Sequence, residues 1–173
     1  MLVPIKSGEF DRVWEIMEAS FPVDERRPLD DQRAVMNDPD YTVYVSHDEH
    51  GKIEGFISVW MLDDIAYVEH FAVAPECRGG GLGSRMLRKT AELTGGRLLC
   101  LEVEPPKTDI ARRRIAFYER NGFYLNDYDY EQPAYAPDRA AVPLCIMTCH
   151  SGIDRTTFEH LRDTLYRRVY HLS

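Results

Sequence analysis

The chain has 173 residues, 44% of them hydrophobic, which is enough to build the core of a single domain. Its formal net charge of -8 argues against a nucleic-acid role, because phosphate backbones are held by clustered Lys and Arg, and it suits a cationic partner instead. No stretch approaches the roughly 20 apolar residues of a membrane span, and the start of the chain lacks the apolar run of a signal peptide, so the expectation is a cytoplasmic protein with no membrane contact. Cys77, Cys100, Cys145 and Cys149 show neither C-x-x-C spacing nor an accompanying His cluster, so reduced thiols are expected rather than a metal site or a disulfide framework.

In chain order, Ser7 is placed to cap a helix whose apolar positions Phe10, Val13, Trp14, Met17 and Phe21 follow a helical period. Residues 22–39 alternate acidic and basic side chains around a few apolar anchors and predict a loop with a short helix. Residues 41–46, 53–61 and 65–73 are β-rich runs separated by turn signals at His50-Gly51 and Asp63-Asp64, and they predict an antiparallel meander. Leu82, Met86, Leu87, Thr90 and Leu93 mark the next helix, which Gly95 and Gly96 end. Residues 98–104 form a strand that Pro105 and Pro106 stop. A short helix leads to a cap at Gly122, and residues 123–130 and 144–149 supply two further strands joined by a loop carrying Gln132 and Tyr135. Over residues 154–172, Phe158, Leu161, Leu165, Val169 and Leu172 make one apolar helical stripe, either packed on its own domain or forming a homodimer contact. The whole, residues 1–173, is expected to be one domain with a core of about 1–150 and a helical extension of about 153–172. No repeat, low-complexity segment or linker interrupts it.

The most informative stretch is the strand at residues 65–73 running into Gly79, Gly80 and Gly81 and then into a helix. Glycines allow positive φ and close approach of a ligand, and a helix N-terminus offers unpaired amides and the positive end of its dipole to an anion such as a pyrophosphate. The loop lacks the Lys-Ser/Thr of a nucleotide-hydrolysing phosphate loop, and it lies too far along too short a chain for a dinucleotide fold. It does carry Arg78-x-x-Gly81-x-Gly83 after Phe71-Ala72-Val73-Ala74-Pro75, and farther on Ile115-Ala116-Phe117-Tyr118-Glu119-Arg120-Asn121-Gly122-Phe123. On these two motifs, in this order and spacing, the chain resembles the GNAT N-acetyltransferases over roughly residues 1–150.

The resemblance implies an α+β fold with a mixed, mostly antiparallel central sheet of about six to seven strands, flanking helices and an additional C-terminal helix. It implies acetyl-CoA as cosubstrate, no metal, and acetyl transfer to a primary amine, on a small molecule or a peptide, by direct attack in a ternary complex. By the same resemblance, backbone groups of Phe71, Ala72 and Val73 pair with the pantetheine arm. The pyrophosphate meets the amides of Arg78, Gly79, Gly80, Gly81, Leu82, Gly83 and Ser84. The Arg78 side chain either contacts phosphate or caps nearby carbonyls, and Arg112, Arg113 and Arg114 either meet the 3′-phosphate or form a solvated face. Ile110 departs from the pattern, since many members carry an Asn there, and the usual basis for a pantetheine contact from this helix is missing.

An amine must be neutral to attack a thioester, so a base is useful, and the departing thiolate needs a proton or a hydrogen-bond donor. Tyr118 matches the position of the acid, with a core aromatic as the plain alternative. Glu69 is the preferred base and Glu102 the other candidate, each in a strand flanking the cosubstrate, where burial raises a carboxyl pKa. Regular alternation puts Glu69 on the face of Phe71 and Val73 and turns His70, read as a packed core histidine, to the other face. Tyr128, Tyr130 and Tyr135 either line the acceptor cleft or close the end of the sheet. A protein that binds acetyl-CoA as a sensor without chemistry is the second functional reading.

Overall fold

The computed structural model describes residues 1–172; Ser173, the last residue of the expected domain, lies outside them. Residues 41–73 form the expected meander as β2 (Tyr41–His47), β3 (Ile53–Leu62) and β4 (Ile65–Val73). β3 is buried on both faces, which accounts for its nearly continuous apolar run. With β1 (Leu2–Pro4), β5 (Leu98–Val103), β6 (Phe123–Leu125), β7 (Tyr130–Gln132) and β8 (Val142–Cys149), they build an eight-stranded sheet in the order β1-β2-β3-β4-β5-β8-β6, with β7 also on β8. Every pairing is antiparallel except β4 with β5, which needs a crossover. The helix α3 (Leu82–Leu93) provides it.

The sheet has one or two strands more than expected. β1 is a three-residue edge strand whose Pro4 is tolerated because it lies at the edge. The predicted strand over 123–130 is two strands, both paired with β8 but at different heights: Phe123 to Leu125 opposite Cys149 to Met147, and Tyr130 to Gln132 opposite Leu144 to Val142. Asn126 makes the break. Its amide donates to the Ile146 carbonyl and to Thr148 Oγ1, while its carbonyl oxygen accepts the Ile153 N–H.

Helices α1 (Phe10–Ser20), α2 (Leu29–Val35) and α5 (Arg155–Arg168) lie on one face of the sheet, and α3 and α4 (Asp109–Arg120) on the other. Ser7 does not cap α1. Gly8, at φ 91°, turns the chain, and Glu9 takes the cap position with its carboxylate accepting the Lys6 N–H at 2.7 Å. α4 starts earlier than the sequence suggests because Thr108 caps it, accepting the Ala111 N–H at 3.1 Å. Asp154 caps α5 in the same way. The α5 stripe packs on its own chain: Phe158, Leu161, Leu165 and Val169 are fully buried within the core shared with α1 and β3, and only Leu172 is exposed. The homodimer reading of that stripe is therefore not met.

Candidate active site

The parting of two strands positions the site. β4 and β5 pair only from Ile65↔Leu98 to Val68↔Leu101; beyond that, β4 stays with β3 and β5 with β8. Phe71, Ala72 and Val73 thus keep one edge hydrogen-bonded to β3 and have no strand on the other. A cleft of about 860 Å³ begins at the glycine loop and passes Phe71 and Tyr118 between the parted strands. It ends at Phe21, Glu25 and Gln132, on the face of α1 and α5.

At the loop end, Gly79 and Gly81 adopt φ of 88° and 72°, a conformation that side chains resist. Among the described residues, the N–H groups of Gly79, Gly80, Gly81, Leu82, Gly83 and Ser84 find no protein acceptor, which is the arrangement an anion at a helix N-terminus requires. A Cβ at Gly83 would come within 3.2 Å of the Phe117 ring and 3.3 Å of Phe71, so a side chain here would press on both rings. The Arg78 guanidinium turns back to the Val73 carbonyl at 3.1 Å, the capping alternative. Arg112 caps the Pro106 carbonyl and pairs with Asp109, and Arg114 pairs with Glu104 at 3.3 Å on the cleft wall.

Glu69 departs from its expected surroundings. The β3–β4 register shifts between Ser58↔His70 and Val59↔Val68, leaving Glu69 as the extra residue of a bulge. Alternation therefore changes phase: Ala66 and Val68 face α3 and α4, and so do Phe71 and Val73. Glu69 instead turns to the other layer, where Arg27 Nη1 lies 2.7 Å away and the Tyr135 hydroxyl donates at 3.0 Å. Burial alone would raise its pKa, but Arg27, His70 and these hydrogen bonds outweigh burial and hold it below the ordinary carboxyl value. The expected elevation at Glu69 is reversed because its cation, Arg27, comes from a segment with no motif.

His70 lies on the same side, its ring edge-on to Phe21. Its Nε2 is 2.8 Å from the Glu25 carbonyl, which can only accept, so the proton is on Nε2. Burial lowers the His70 pKa, against the opposing pull of Glu69, and the ring is neutral near pH 7.

Glu102, half-buried at the gap between the strands, is where a carboxyl pKa rises. Burial pushes it to about 7 and the charge of Glu69 adds to this, while the phenols of Tyr130, Tyr67 and Tyr170 pull it partly back. Tyr130 donates a short hydrogen bond to its Oε1, and the Tyr170 hydroxyl lies 3.0 and 3.1 Å from its two oxygens. Tyr118 packs edge-on against Phe117 and Phe123 and tilted against Phe71, and its hydroxyl makes no protein hydrogen bond among the described residues. Burial raises its pKa to about 12, so the phenol stays protonated.

Of the three loop tyrosines, Tyr130 and Tyr135 reach the two carboxylates, and Tyr128 packs on Phe158. Asp63 and Asp64 lie apart from the cleft, where Arg97 and His160 meet them. Sequence reasoning missed Arg27 and Tyr170. A lone cation in a charged loop and a tyrosine just past a helical stripe carry no signal of their own. Among the described residues, no group of three or more His, Cys, Asp or Glu is arranged to hold a metal.

The family model for an acetyltransferase (GNAT) domain matches residues 39–125, the span that holds the parted strands, the glycine loop and Tyr118. The chain belongs to the GNAT family. A Bacteroides thetaiotaomicron structure named as an acetyltransferase of this family is 34% identical, covering 100% of this chain and 99% of that one, with a TM-score of 0.89. A Bacillus subtilis protein named as a ribosomal-protein alanine N-acetyltransferase is 30% identical over 98 residues, which are 55% of this chain and 64% of that protein. The ribosomal-protein alanine N-acetyltransferase of Escherichia coli shares the fold, with a TM-score of 0.67 at 19% identity over 89% of this chain and 95% of that one. GNAT proteins use acetyl-CoA, and the free amides of the loop and the open edge of β4 fit its pyrophosphate and its amide-bearing arm.

Proposed function

We propose that the protein transfers the acetyl group of acetyl-CoA to a cationic primary amine, by direct attack in a ternary complex. The observation that carries this reading is the cleft itself, which joins a phosphate-type loop on one face of the sheet to the Glu69 and Glu102 carboxylates on the other through the gap between β4 and β5. The acetyl thioester supplies an electrophilic carbonyl and a thiolate leaving group; the rest falls to side chains. Glu102, with a pKa of about 7, is partly ionised at neutral pH and takes a proton from the incoming ammonium. Glu69, kept as a carboxylate by Arg27 and Tyr135, attracts the cation without competing for its proton. Tyr118 donates its proton to the departing sulfur and regains one from the nitrogen, which sheds its second proton as the amide forms. The base is thus assigned to Glu102 in preference to Glu69.

Of the glutamates lining the cleft, Glu69 and Glu104 are paired with Arg27 and Arg114, while Glu25 and Glu102 have no arginine ion pair among the described residues; this favours an amine and disfavours an acceptor with a carboxylate beside the reacting nitrogen. The test is mass-spectrometric detection of acetylated product from acetyl-CoA and a panel of polyamines, amino acids and N-terminal peptides. Acetylation of polyamines or peptide N-termini, with free amino acids poor, is the expected result. Acetyl-CoA binding with no product from any amine would replace the enzyme reading with the sensor.

A further inference from the structure

Past the end of α5, Tyr170 turns under the sheet and reaches Glu102. Its side chain is buried, and its hydroxyl stands 3.0 Å from Oε1 and 3.1 Å from Oε2. A carboxylate can only accept, so Tyr170 is the donor. The Tyr67 hydroxyl, 3.1 Å from that of Tyr170, must then donate to it, giving a directed chain from Tyr67 through Tyr170 to Glu102. Tyr166, one turn earlier, points elsewhere and donates to the Glu131 carbonyl at 2.7 Å. The buried residues Phe158, Leu161, Leu165 and Val169 fix the height of α5 and hence where Tyr170 falls.

We propose that the C-terminal helix serves the reaction by delivering Tyr170 as a positioning residue that orients the Glu102 carboxylate and stabilises its ionised form. This rests on the reading of Glu102 as the group that accepts the amine's proton. Tyr67 and Glu69 face Glu102 from the neighbouring strand β4, Cys100 from two residues earlier on β5 itself, and Tyr130, Tyr135, Tyr166 and Tyr170 from the segments that cover it. Tyr67, Tyr130 and Tyr170 are the phenols that favour its charge, and Tyr170 alone is set against both oxygens. A hydrogen bond to a charged group stabilises it by about 1.5–3 kcal/mol, so removing Tyr170's hydroxyl should move the Glu102 titration upward by about one pH unit or more.

The experiment is a carbon-13 NMR titration of glutamate carboxyls in the full chain, with the Glu102 signal assigned by its loss in Glu102→Gln. Tyr170→Phe, which keeps the ring and its packing, should shift the midpoint upward by that amount, while Tyr166→Phe leaves it in place. An unshifted midpoint in a Tyr170→Phe protein of normal thermal stability would overturn the proposal. Equal shifts in both variants would overturn it too, because they would mark a general loosening of the helix. Turnover by Glu102→Gln reports separately on the base: full activity there sinks the reading of Glu102 whatever the titration shows, and a moved midpoint stands without any known acceptor.

Discussion

Glu69 and Glu102 sit on adjacent strands, and their surroundings drive their pKa values apart, Glu69 downward by Arg27 and Glu102 upward by burial. On the proposed mechanism, these opposite shifts let Glu69 hold the cation and Glu102 take its proton. Tyr118→Phe leaves the aromatic cluster intact and should lower kcat by about 100-fold or more, since a positioned acid contributes about 10² to 10⁴; stopped-flow thiol release reads it, and an unchanged kcat with chemistry rate-limiting removes Tyr118 from the mechanism. Arg27→Ala strands the Glu69 charge and should cost about 3–5 kcal/mol in urea unfolding at neutral pH. The sign with pH follows from the direction of the shift. Glu69's folded pKa is depressed in the native protein, so its contribution is present above the unfolded pKa and lost as pH falls through the folded one. In the variant the largest opposing charge is gone and burial is set against only His70 and the Tyr135 hydrogen bond, so the folded pKa rises and the deficit relative to the native protein should shrink on acidification.

At the scale of elements, strands and helices follow from composition, and departures occur where a side chain far along the chain intervenes. β2, β3 and β4 were legible because β-branched and aromatic runs ended at turn residues. The bulge at Glu69 was not, because it arises between two strands and leaves no mark in either. Nor was the break at Asn126, which depends on the partners Ile146, Thr148 and Ile153. The glycine loop was legible because its demand is local, in the φ of Gly79 and Gly81 and the missing side chain of Gly83. Gly83→Ala presses on the Phe117 and Phe71 rings beside the loop and should weaken acetyl-CoA binding in calorimetry. Leu161→Ala, in the middle of α5, should cost about 2–5 kcal/mol of stability.

Across the whole molecule, the two ends of the cleft differ in origin. The glycine loop, Glu69, Glu102 and Tyr118 lie within the residues shared with the GNAT family, 39–125. Arg27, Tyr130, Tyr135 and Tyr170, which grip the two carboxylates, lie outside that span. The cosubstrate side was therefore readable from motifs, and the acceptor side was not, since it is assembled from segments brought together only by folding. The acidic balance agrees with a cationic acceptor at both scales, in the net charge of -8 and in Glu25 and Glu102, the cleft glutamates with no arginine ion pair among the described residues. The most direct test is the pH dependence of kcat/KM for acetyl transfer to the best amine, in the native protein and in Glu102→Gln. The account predicts a limb that rises through about pH 7 in the native protein, and a variant slower by about 100-fold or more that lacks this limb. A Glu102→Gln protein with native rates and the same limb would contradict it.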